Sequence, residues 1–159
     1  MPDPSTATHL SAIFERDILK LKAEISAYSD EQQLWVIKAQ ISNAAGNLCL
    51  HLMGNLQHYI GAILGKTGYI RNRPEEFSRK NVPRDAMLEE LDRTITVVKE
   101  VLAKLSVDTM QTDYPEKVLG HSMTTEYFLL HLLGHLNYHL GQINYHRRLL
   151  DNYQPEAGG

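Results

Sequence analysis

The 159-residue chain is 43% hydrophobic and 22% charged, with a formal net charge of −3, one cysteine and eight histidines. That length supports one buried core and is short for two ordinary domains, so a single domain over 1–159 is expected, with 1–7 and 151–159 as flexible tails. The charge balance argues against a nucleic-acid or anionic-membrane partner, no run reaches the roughly 18 uncharged apolar residues of a membrane span, and the opening MPDPSTATH has no leader pattern; with Cys49 left without an internal disulfide partner, a cytoplasmic location is expected.

From Thr8 to Tyr28 the apolar residues Leu10, Ile13, Phe14, Ile18, Leu21 and Ile25 fall at three- and four-residue intervals between charged ones, which predicts an amphipathic helix. The following SDEQQLWVIKAQISN lacks a clean period and reads as an extended connection, with room for a short helical turn, that packs Trp35 on the core. A second helix is predicted from a cap at Ser42 or Asn43 to a glycine stop at Gly65 and Gly68, with Leu48, Leu52, Leu56, Ile60 and Ile63 facing inward. The polar stretch KTGYIRNRPEEFSRKNVP, broken by Pro74 and Pro83, reads as a long loop. A third helix opens at Pro83 and repeats Met87, Leu91, Ile95, Val98, Leu102 and Leu105. After a second irregular link, Thr124 is placed to cap a final helix that runs through Leu150. Without strand-like alternation or a repeat, an all-α four-helix bundle is the economical arrangement.

The chemistry lies in the histidines. The final helix reads HLLGHLNYHLGQINYHRRLL, placing His131, His135, His139 and His146 among leucines. Residues four apart are one turn apart and differ by about 40° in direction, so His135 and His139 can aim at one point, and His131 and His135 stand in the same relation. The second helix offers His51 and His58, and His51, inside the apolar run NLCLHLMGN, is chosen as third ligand. Three neutral imidazoles bind a divalent ion, with zinc or nickel ahead of iron, and leave a position open for water or substrate. The alternative is that these are core histidines satisfied by hydrogen bonds. His58 and His131 read as structural or supporting residues, and Gln142, near His139, as a partner for a ligand or its water. His146, beside Arg147 and Arg148, reads as a surface residue at a helix C-terminus, and His9 and His121 are assigned no role. Cys49, two positions from His51, is turned away from the same point, while Tyr59 and Tyr138 can supply a hydroxyl.

Gly46, Gly54 and Gly61 in the second helix and Gly134 and Gly141 in the last each cost about 1 kcal/mol against alanine. Close approach of these two helices would offset that cost. Tolerated glycine at exposed positions is the alternative.

The pieces NAAGNLCLHLMGNLQHYIGAILGKTGYIRNRPEEF and HLLGHLNYHLGQINYHRRLL resemble the DinB/YfiT-like superfamily of bacterial four-helix proteins, and the resemblance covers nearly the whole chain. It implies an up-down-down-up bundle, frequently dimeric, so a homodimer is expected. It also implies a divalent metal held by a histidine of the second helix and a pair spaced by four on the last, which by position are His51, His135 and His139, followed here by Gly141 and Gln142. Many relatives have arginine directly after the final ligand, where this chain has Leu140. Characterised members are often thiol S-transferases that use low-molecular-weight thiols, or metal-dependent isomerases or hydrolases. The expected function is accordingly metal-dependent, thiol S-transferase-like chemistry on a small molecule, and the rival is a non-enzymatic stress-response or dimerisation module with a structural metal or none.

Overall fold

A computed structural model of the chain describes residues 5–151. The fold is all-α: six α-helices, α1 (Thr6–Ala27), α2 (Ala45–Leu56), α3 (Arg73–Ser78), α4 (Arg84–Leu102), α5 (Val107–Gln111) and α6 (Thr125–Leu150), with no strand among the described residues beyond an isolated bridge of Asp113 with Thr124. No helix among these residues is long and apolar enough to cross a membrane.

Helix α1 begins where the Ser5 hydroxyl accepts from the Thr8 amide, and it buries Leu10, Phe14, Ile18, Leu21 and Ile25 as its periodicity predicts. Ser5, Thr6 and Ala7, expected in the N-terminal tail, are instead the cap and first turn of this helix. The remainder of the expected tails, 1–4 and 152–159, lies outside the described residues, while Asp151 accepts from the Ser29 amide and hydroxyl. One charge sits on the buried face: Asp17 is fully covered and is neutralised by Arg16 at 2.7 Å and by an amide hydrogen bond from Asn137 on α6. A 3₁₀ turn over Glu31–Trp35 then lays the Trp35 ring over Gly46, where an added Cβ would come within 2.7 Å of it.

The second predicted helix differs from its expectation in three ways. It is capped at Ala44 with no side-chain hydrogen bond, not at Ser42 or Asn43, because Ala44 and Ala45 are completely buried and a small apolar pair fits where a polar cap would be desolvated. It has no polar face, since every residue of α2 but Leu50 is buried, as befits a central helix. It also continues beyond Leu56 as a π-helical segment, Gln57–Leu64, closed by a bond from the Gly65 amide to the Ile60 carbonyl.

Both links expected to be irregular contain a helix. Asn72 caps α3 by accepting from the Glu75 amide, so Pro74 opens a helix where it was read as a breaker. Ser106 caps α5 in the same manner. Pro83 is the N-cap of α4 and not its first helical residue, and behind it Met87, Leu91, Val98 and Leu102 are buried. Thr124 caps α6 by accepting from the Tyr127 amide, as predicted. Helix α1 packs on α4 and α6, while α2 packs on α3, α4 and α6, which sets the inward side of α6 directly against the histidine-bearing turns of α2.

Candidate metal centre

His51 comes from the centre of α2, and His135 and His139 come from successive turns of α6. Each offers a ring nitrogen within 4.8 Å of the others. The three rings meet edge to face, with centroids 5.0 Å apart for His51 and His135, 5.3 Å for His51 and His139, and 4.6 Å for His135 and His139. The Nε2 atoms of His51 and His135 face each other at 3.1 Å.

Tautomers follow from the partners. The Nδ1–H of His51 donates to a carboxylate oxygen of Glu76 at 3.0 Å, and the Nδ1–H of His139 donates to the side-chain Oε1 of Gln142 at 2.7 Å. In both rings the proton is held on the outer nitrogen, and Nε2 keeps its lone pair toward the common centre. The Nδ1 of His135 is buried and has no hydrogen-bond partner among the described residues. Burial, helped by the neighbouring imidazoles, pushes the His135 pKa down to about 4, so this ring is neutral at physiological pH. Burial also lowers His139, against a partial opposing effect of the Gln142 hydrogen bond.

Glu76 is the residue that sequence reasoning missed. It lies on α3, and Arg71 grips it with two hydrogen bonds of 2.8 Å; the two side chains are 7% and 9% exposed. Burial works against its charge, but hydrogen bonds from Arg71 and His51 outweigh that and hold the carboxyl below the usual range. Asn47, one turn before His51, ties the end of α3 to α2 by donating to the carbonyls of Glu76 and Arg79. The available signal was Asn72, Arg73, Pro74, Glu75, a helix-start pattern whose short helix delivers a carboxylate.

The glycines do not bring α2 and α6 together, contrary to expectation. A Cβ on Gly54 would sit 2.0 Å from a Glu76 oxygen, Gly46 faces Trp35, and Gly61 meets Val97, while Gly134 and Gly141 have no atom within 4 Å of that position. The second helix needs its glycines for Trp35, α3 and α4, and those of α6 are open.

The other candidate residues fall outside the triad. His58 lies against the Tyr59 ring, and the exposed His131 stacks on Phe128. Tyr59 lies beneath the Arg71 guanidinium and against Phe128, and the exposed Tyr138 touches the edge of His139. His146, expected at the surface, is 4% exposed: its Nε2–H donates to the Val36 carbonyl at 2.8 Å and its Nδ1 accepts from the Tyr28 hydroxyl at 2.7 Å. It follows His139 by seven residues and so points inward with it, and the flanking arginines are on other faces. His9 and His121 are exposed. Cys49 is completely buried, and burial pushes its thiol up to about 12.

Residues 10–156 match the model of the family described as "Protein of unknown function (DUF1572)". No curated protein matches the chain. The chain is thus a member of the DUF1572 family.

Proposed function

We propose that His51, His135 and His139 hold one divalent metal ion, and that the protein is a metal-dependent enzyme of the DinB-like type whose long helices form an up-down-down-up bundle. The observation that carries this reading is the facing pair of Nε2 atoms at 3.1 Å, one of them deprived of its proton by Glu76. Two imidazole nitrogens bound tetrahedrally at roughly 2.0–2.1 Å would lie about 3.3 Å apart, so the donor set fits with little adjustment. A buried Nδ1 without a partner on His135 also fits a site whose rings are arranged for something other than each other. An all-nitrogen set suits zinc, nickel or ferrous iron, and zinc and nickel are the leading choices.

Three ligands and no fourth among the described residues support an open, catalytic centre over a closed structural one. A divalent ion bound there supplies a Lewis acid that lowers the pKa of a coordinated thiol or water. Around it, Glu76 and Gln142 hold the His51 and His139 rings in register, and Arg71 keeps Glu76 ionised. Cys49 is too buried and too weakly acidic to act as a nucleophile, so the thiol would come from a small-molecule substrate. Thiol S-transferase chemistry is the reading we favour on these grounds. Elemental analysis of untagged protein should return close to one metal per chain, lost in His135→Ala. Metal-loaded protein incubated with a panel of biological thiols and a generic electrophile should consume thiol. If no thiol is consumed with any metal, the transferase assignment fails while the metal site stands.

A further inference from the structure

Two buried side-chain polar atoms among the described residues lack a hydrogen-bond partner, and they are Asn55 Oδ1 and His135 Nδ1. Asn55, 7% exposed, follows His51 by one turn of α2. Seen along the helix axis, Gly54 is turned about 60° from His51 to one side and Leu48 about 60° to the other, and Asn55 is turned about 40° to the Leu48 side. Gly54 faces Glu76 of α3, whereas Leu48 shares a cavity wall with Gln142 and His146 of α6. Asn55 is therefore on the α6 side of α2. Its height follows from the ring contacts. His51 meets His135 and His139 while Tyr59 meets Phe128, so the two elements run in opposite directions, and Asn55, midway between His51 and Tyr59, is level with the turn from His131 to His135.

The positions of the protons explain why neither atom has a partner. Glu76 holds the His51 proton on Nδ1, so His51 Nε2 can only accept, and its 3.1 Å contact with His135 Nε2 makes the latter the donor. The neutral His135 ring then carries its lone pair on Nδ1, and an imidazole lone pair and an amide carbonyl oxygen, both acceptors, do not bond each other. To serve as a ligand through Nε2, His135 gives the Nε2 proton to solvent and takes one from solvent on Nδ1, with no change in ring charge. A buried acceptor thereby becomes a buried donor, and the facing helix holds an unpaired carbonyl oxygen to receive it. His51 and His139 already have such outer acceptors in Glu76 and Gln142.

We propose that Asn55 is the positioning residue of His135, its Oδ1 accepting from Nδ1–H when Nε2 binds the metal, a role that presupposes the three-histidine site. Long-range proton–nitrogen NMR correlation of isotope-labelled protein reads the tautomer, with the His135 signals identified by their loss in His135→Ala. His135 should be protonated on Nε2 in the metal-free chain and on Nδ1 in the zinc-loaded chain. Asn55→Leu, similar in size and without an acceptor, should bind zinc about 10- to 100-fold more weakly in competition with a chelator. The same variant without metal should melt no lower than the wild type, because Oδ1 has no hydrogen bond to lose. Asn55→Asp, which restores an acceptor oxygen, should bind zinc as the wild type does. A His135 proton on Nδ1 before zinc is added, equal zinc affinities of wild type and Asn55→Leu, or equally weak binding by Asn55→Leu and Asn55→Asp would overturn the proposal and leave the metal site standing. A wild type that binds no zinc would end both.

Discussion

His51 and Glu76, twenty-five residues apart in the chain, are joined by a 3.0 Å hydrogen bond that decides which nitrogen of the imidazole faces the histidine cluster. The carboxylate can only accept, so the proton stays on Nδ1 and the lone pair on Nε2. Arg71 saturates the remaining capacity of Glu76 and keeps it charged in a dry setting.

Glu76→Gln removes the charge that holds this arrangement. Metal affinity should fall by about 10- to 100-fold with the three histidines intact, as read by competition with a chromophoric chelator. The Arg71 guanidinium, left buried without a counter-charge, should lower the melting temperature in the same variant. Unchanged affinity would remove Glu76 from the metal centre.

Gly54→Ala tests the same contact from α2. The new methyl would collide with the Glu76 carboxylate, so α3 must shift, at an expected cost of about 1–3 kcal/mol in urea unfolding together with weaker metal binding. A stable variant with normal affinity would show that α3 need not lie where it does.

Metal removal should destabilise the protein. An ion that binds only the folded chain at a concentration 100 times its Kd adds about 2.7 kcal/mol, so excess chelator should lower the melting temperature of the wild type and leave that of His135→Ala unmoved. Equal responses from the two proteins would count against the three-histidine site.

His146 makes stability depend on pH. Burial holds its pKa below the ordinary 6.5 in the fold, although the hydrogen bond to Val36 opposes this in part. Above pH 6.5 the ring is neutral in both states and the stability is intact. As pH falls below 6.5 the unfolded chain takes up the proton first, and stability declines until the folded ring also titrates. In chelator, the urea midpoint should drop as pH falls from about 6.5 toward about 4, and His146→Phe should lessen that drop, with His135 and His139 contributing in the same direction.

The residues that announced themselves in the sequence did so through period and spacing. The buried stripe of α1, the cap at Thr124 and the pairing of His135 with His139 on adjacent turns are consequences of 3.6 residues per turn, and His51 was legible from its apolar surroundings. Glu76 was not, because a glutamate in a polar stretch shows no sign of burial until Arg71 and His51 are seen to enclose it. The glycines of α2 signal a close approach without naming the neighbour, since a missing side chain tells that something comes close without telling what. The charged neighbours of His146 suggest a surface position, whereas its distance along the helix from His139 is the better guide to its burial.

One of the clustered imidazoles belongs to α2 and the other two to α6, which follows it in the chain. No nascent fragment lacking α6 presents more than a single ring, and none that ends before α3 can set the tautomer of that ring. The cluster can therefore assemble only after α6 has been made, and a product cut short before that helix would lack two of its three rings.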